Sequence, residues 1–126
     1  MDLQAHKIDI SVITKYLPEQ SAPAEFRFAF SYTITIFNAG NIAALLMRRH
    51  WEITNANGEV REVDGKGVVG EQPHLQPGES FRYTSGAIID TPVGSMQGTY
   101  TMLADDGTEF LAHIPAFRLA MPEIVH

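Results

Sequence analysis

The sequence predicts an all-β sandwich of about seven to eight antiparallel strands, and three observations carry that prediction. Apolar and polar residues alternate with a period of two over most of the chain. Turn signals, Asn57-Gly58, Pro77-Gly78 and Asp105-Asp106-Gly107, separate the alternating runs. No segment shows a convincing amphipathic helical period.

The elements follow in chain order. Ile8, Ile10 and Val12 alternate with Lys7, Asp9 and Ser11, which predicts a first strand, and the two prolines of KYLPEQSAPAE predict a loop after it. Residues 26–37 place Phe26, Phe28, Phe30, Tyr32, Ile34 and Ile36 on one parity, the pattern of a long half-buried strand. In residues 42–54 the Ala-Leu start would suit a helix. The shared parity of Leu45, Met47, Trp51 and Ile53 favours a strand instead, with Arg48, His50, Glu52 and Thr54 opposite and Asn57-Gly58 as a two-residue turn. A returning strand runs through Val60 and Val63. Phe81 and Tyr83 share a face of the next strand, and a loop is expected at Thr91, Pro92, Val93 and Gly94. Residues 98–103 and 108–114 read as a hairpin around Asp105-Asp106-Gly107, and Phe117, Leu119 and Met121 alternate before Pro122. The expected core holds the Phe26–Ile36 ladder with Trp51, Tyr100, Phe110 and Ile114.

Composition narrows the function classes. The 126 residues, read as one domain over 1–126, are 44% hydrophobic and 19% charged, which suits a folded globular chain. The absence of cysteine excludes disulfides, thiolate metal sites and a cysteine nucleophile. A formal charge of -6 disfavours non-specific binding to nucleic acid or anionic membrane. With no leader pattern at MDLQAHKIDI and no apolar run near ~18 residues, the expected location is cytoplasmic.

Several motifs could carry chemistry. Gly65-Lys66-Gly67-Val68-Val69-Gly70 is formally G-x-G-x-x-G, with Asp90 about twenty positions further on. Pro73 and Pro77 prevent the helix that a dinucleotide fold needs there, so the spacing to Asp90 is read as coincidence. What remains is an anion-binding backbone concavity at Gly65, Lys66, Gly67 and Gly70, opposed by Glu62, Asp64 and Glu71, or else glycines that supply turn conformations. Arg48-Arg49-His50-Trp51 places Arg48 and His50 on one strand face. Arg49, on the Trp51 side, must reach an edge, a carboxylate or an aromatic ring.

The remaining candidates are weaker. His6, His50, His74, His113 and His126 include no close pair with metal-ligand spacing, and the Asp105-Asp106-Gly107 run lacks the rest of a calcium loop, so no metal or other cofactor is expected. Gly94-Ser95-Met96-Gln97-Gly98 does not match G-x-S-x-G, and the paired carboxylates Glu62 and Asp64 read as an exposed strand face. No catalytic set is assembled.

Taken together, R-H-W before the hairpin, G-x-G-V-V-G-x-Q-P, P-G-E-x-F-x-Y-x-S-G, T-P-x-G-x-M-x-G-x-Y and I-P-x-F-x-L resemble the ApaG family over about residues 5–122. The resemblance implies an immunoglobulin/fibronectin type III-like β-sandwich without an established enzymatic role, associated at family level with cobalt and magnesium tolerance. Similar domains appended to eukaryotic F-box proteins and to a DNA polymerase delta-interacting protein suggest a protein-interaction module. The expected function is therefore a non-enzymatic, cytoplasmic binding module for a protein partner, with Arg48, His50 and His74 as partner-binding candidates. Pairing of an edge strand with a second copy is a further candidate assembly. The alternative is a small-anion, nucleotide or pyrophosphate binder that uses Gly65, Lys66, Gly67 and Gly70, where the ligand would be a phosphate-containing small molecule.

Overall fold

A computed structural model describes residues 5–122; residues 1–4 and 123–126, among them His126, lie outside the described residues. Eight strands form: β1 (Ile8–Tyr16), β2 (Phe28–Asn38), β3 (Ala44–Asn55), β4 (Val60–Lys66), β5 (His74–Leu75), β6 (Ser80–Ile89), β7 (Val93–Ala104) and β8 (Glu109–Ala120). Only two single 3-10 turns, Pro18–Gln20 and Pro23–Glu25, break the all-β pattern among the described residues. Among the described residues no helix is long and apolar enough to cross a membrane.

The strands form two antiparallel sheets, β1-β2-β6 and β4-β3-β7-β8, with short β5 added to β3. Their facing sides enclose one core. Ile34, Ile36, Leu46, Tyr100, Met102 and Leu119 have no exposed surface, and Trp51 meets Tyr32, Tyr100 and Phe117 edge-on. Full burial of each aliphatic side chain contributes about 1.5–3 kcal/mol before ordering costs. Inside this core the Tyr83 and Tyr100 hydroxyls hydrogen-bond each other, so neither is left unpaired. Burial pushes Tyr83 up to about 12 and raises Tyr100 further, so both stay neutral.

Asn38 is another buried polar group with its needs met. Its amide donates to the carbonyls of Ile42 and Leu75, and its oxygen accepts from Gly40, which ties the end of β2 to β5.

Several expectations need correction. Phe26 is not core: it is 73% exposed, adopts the left-handed conformation (φ 55°) that closes the Pro23–Glu25 turn, and precedes β2. Leu45 and Met47 do not share the Trp51 face. Met47 is an extra residue between the Leu46–Met102 and Arg48–Thr101 pairs, and this bulge changes the parity of β3, so Ala44 and Leu46 point inward before it and Trp51 and Ile53 after it. Val93 and Gly94 belong to β7 rather than to a loop, and a bulge near Pro115 and Ala116 lets β8 run unbroken from Glu109 to Ala120. Phe110 is half-buried at the core margin.

The turn at Asn57-Gly58 also differs from the expected two-residue form, and it shares its geometry with the turn at Asp105-Asp106-Gly107. At Asn55–Gly58 and Ala104–Gly107 the fourth residue's N–H donates to the first residue's carbonyl, and only the glycine has positive φ, the three-residue loop that ends on a left-handed glycine.

A two-residue turn of the primed type does occur, at Val69-Gly70. Val68 and Glu71 exchange both backbone hydrogen bonds at 2.8 Å, with φ 43° at Val69 and 80° at Gly70. A β-branched residue is ill suited to that conformation, and Val69 is mostly solvent-facing, so it gains little from burial. Replacing it with asparagine, Val69→Asn, should raise stability by about 1 kcal/mol. Urea unfolding checks this: the midpoint should rise at unchanged slope, and an unmoved or lower midpoint would refute it.

Candidate functional site

Period-two register sorts the predicted residues. On the outer face of the large sheet Arg48 of β3 stands opposite Lys66 of β4, and His50 stands opposite Asp64. The His50 ring is held between two carboxylates, Nδ1 at 2.8 Å from Asp64 and Nε2 at 3.2 Å from Glu62. The hydrogen bond to Asp64, reinforced by the charges of Asp64, Glu62 and Glu52, raises the His50 pKa against the opposing effect of desolvation. One atom from each of His50, Glu52 and Glu62 lies within 4.8 Å of the others. Gln97 donates to Glu52 at 3.0 Å. His74 does not join this group: it pairs with Leu45 near the start of β3, and its Nε2 lies 2.8 Å from Asp105.

The glycine segment is divided between a strand and a turn. Gly65 lies within β4, where a Cβ would come 2.6 Å from the Arg49 guanidinium, so this glycine leaves room for the arginine to cross the strand. Arg49 Nη1 donates to the carbonyls of Lys66 and Gly67, at 3.2 and 2.9 Å. Thus the charge on the Trp51 side reaches backbone oxygens. Gly67 takes φ 62°, its N–H donates to the bulge carbonyl of Met47, and the Val68 N–H donates to Glu71. Lys66 is exposed at the end of β4 and Gly70 at the turn.

Two clefts lie elsewhere. β1 packs against β8 along one side of the sandwich. Along the other side the β4 and β6 edges stand apart and frame two adjoining clefts. One, of about 480 Å³, is walled by Phe26, Val60, Arg61 and Ile88, with Glu59 and Asp90 at its end. The other, of about 560 Å³, has Tyr32, Trp51 and Ile53 in its floor and Arg49 and Arg61 on its rim. Arg61, Ile53 and Ile88 belong to both clefts, which makes them one elongated groove. The buried Trp51 Nε1 has no hydrogen-bond partner among the described residues.

Phe26, Val60, Arg61 and Ile88 were not singled out by the motifs. One signal was available: Ile88 and Ile89 are consecutive, and in a strand one of two neighbours must face away from the core.

Comparison with known proteins adds the class and the family. The solved structure of a putative ApaA protein from Bordetella pertussis superimposes with a TM-score of 0.92 at 45% identity, covering 94% of this chain and 97% of that one. A β-glucuronidase from Bacteroides uniformis, at 16% identity and TM-score 0.54 over 13% of its length, shares the fold alone. The molecule is thus an all-β sandwich of a recurrent two-sheet type. The ApaG domain profile matches residues 18–104. The chain is 59% identical to Protein ApaG of Thiobacillus denitrificans over 121 residues, which cover 96% of this chain and 95% of that protein. It is 57% identical to Protein ApaG of Pseudomonas putida over 96% of both. The chain belongs to the ApaG family.

The His50 pair makes stability depend on pH. Its folded pKa lies above the ordinary 6.5, so the pair's stabilisation is complete below about pH 6.5 and is lost as pH rises through the folded value. The native protein should exceed His50→Gln in stability by more at about pH 5.5 than at about pH 8.5. Paired denaturant titrations check this, and a gap that widens with pH would refute it.

Proposed function

We propose that this chain is a non-enzymatic recognition module that docks a protein partner on the open side of the sandwich, between β4 and β6. The observation that carries this reading is the grouping of exposed apolar side chains, Phe26, Val60 and Ile88, beside two strand edges that no other strand among the described residues pairs. An apolar surface between free backbone edges is what strand-addition partners use. By contrast, Arg48, His50 and His74 are spread over the outer face and the far end of β3, and both histidines are engaged with carboxylates. The glycine segment offers an anion a weaker hold, because the Gly67 and Val68 amides already donate to carbonyls.

A photo-crosslinking residue at position 60 or 88 should capture a partner in cells, while one at exposed Leu111 on β8 should not. Equal capture at all three positions, or none at 60 and 88, would refute the docking surface.

A second reading is favoured by the convergence of His50, Glu52 and Glu62, which supplies one nitrogen and two oxygen ligands for a divalent cation. Since the ring is held by Asp64 and Glu62 and retains its proton more strongly, a cation must displace that proton, and affinity should fall with falling pH. Calorimetry with Co²⁺ checks this: heat that His50→Gln abolishes supports the site, and no heat removes it.

A further inference from the structure

The half of the groove over Trp51 carries a charge opposite in sign to that of the whole molecule. The chain carries a formal charge of -6, yet the cleft over Trp51 is lined by Arg49 and Arg61 and, among the described residues, by no aspartate or glutamate. Such a local field attracts anions that the rest of the surface repels. The two arginines have spare donors. Among the described hydrogen bonds Arg49 uses Nη1, and Arg61 makes one bond, from Nη2 to the Ile88 carbonyl at 3.3 Å. That distance is long, and a carboxylate would hold the same guanidinium through shorter, charge-assisted bonds.

The Arg61 contact also shows how β6 is oriented. The Ile88 carbonyl points across the cleft, away from β2, where Ile88 is paired with Ala29. By the two-residue alternation of an antiparallel ladder, the backbone groups of Gly86 face the same way. Gly86 is exposed and has no side chain to hold an approaching chain off. The β6 edge from Ser85 to Ile88 is therefore open to backbone pairing along one wall of the cleft, while Arg61 and Val63 of β4 form the other.

We propose that the occupant is an extended protein segment that adds to the β6 edge at Gly86–Ile88 and turns an aspartate or glutamate side chain between Arg49 and Arg61. Its apolar neighbours at alternate positions lie against Ile53, Val60 and Ile88. This assignment rests on the docking surface proposed above and adds the partner's chemistry. Length favours a strand over a compact ligand, because the two clefts join end to end through Ile53, Arg61 and Ile88.

Random peptides of about twelve residues, displayed on phage and panned on the full chain, supply the probe. Recovered peptides should share an acidic residue with apolar residues two positions away, and their binding should change the fluorescence of Trp51, the single tryptophan, which lies in the cleft floor. Arg61→Met, at an exposed site, should weaken them about tenfold, whereas Arg48→Met on the outer face should leave them unchanged. Arg61→Glu should lose the acidic peptide and bind the same peptide with lysine at the acidic position.

Peptides without an acidic position, peptides insensitive to Arg61→Met, or failure of the lysine exchange would overturn the assignment. A panning that yields no peptide, while crosslinks at positions 60 and 88 still form, overturns the acidic-segment assignment alone. Failure of both overturns the docking surface as well.

Discussion

The arrangement of the large sheet depends on one extra residue, Met47. Without it, the parity that buries Ala44 and Leu46 would turn Trp51 and Ile53 to solvent and bring His50 into the core. The bulge lets one long strand place apolar residues in the core on both sides of the irregularity. It also sends Arg49 inward, to a position that Gly65 keeps clear, and its carbonyl accepts the Gly67 N–H and the Gln72 side chain. Bulge, arginine and glycine segment are thus one assembly: the arginine closes the segment by holding two of its carbonyls, and the segment closes the bulge.

This coupling gives the G-x-G-x-x-G spacing a structural meaning. Gly65 leaves room for a guanidinium, Gly67 turns the chain with a positive φ, and Gly70 completes a primed turn with Val69. Each glycine answers a separate local demand, and none needs a phosphate to explain it. The spacing of the three follows from the path of the chain as it leaves β4, turns back at Val69-Gly70 and reaches β5.

Much of the fold was legible because alternation is a direct record of burial. The odd-even pattern of Phe28 to Ile36 and of Tyr83 to Ile89 is the inner face of the small sheet. What could not be read was where alternation breaks. A bulge leaves no residue signature as strong as a turn's, so Leu45 and Met47 were assigned to the wrong face, and Pro115 concealed the continuity of β8. Phe26 continued the aromatic period but lies in a left-handed cap, since Pro23 starts a tight turn that sets the chain direction before β2. At the candidate site, Arg48 and His50 were correctly placed together on an exposed face. The groove was not visible, because Arg61 and Ile88 are 27 positions apart and meet only when the two sheets close.

The two sides of the sandwich explain why the groove lies where it does. β1 and β8 pack together and close one flank, so the edges there have a neighbour. On the other flank β4 and β6 diverge, leaving their outer backbone groups without a third strand among the described residues, and the charged side chains over Trp51 are the cationic Arg49 and Arg61, with the acidic Glu59 and Asp90 confined to the adjoining cleft. An edge of this kind invites association unless something blunts it. Arg61 does so mildly, with one long bond across the gap, and the molecule's formal net charge of -6 opposes the approach of identical copies at a distance. A barrier built from repulsion between like-charged molecules discriminates by charge: its effect depends on the partner's sign near the groove, where the local cations favour an acidic strand.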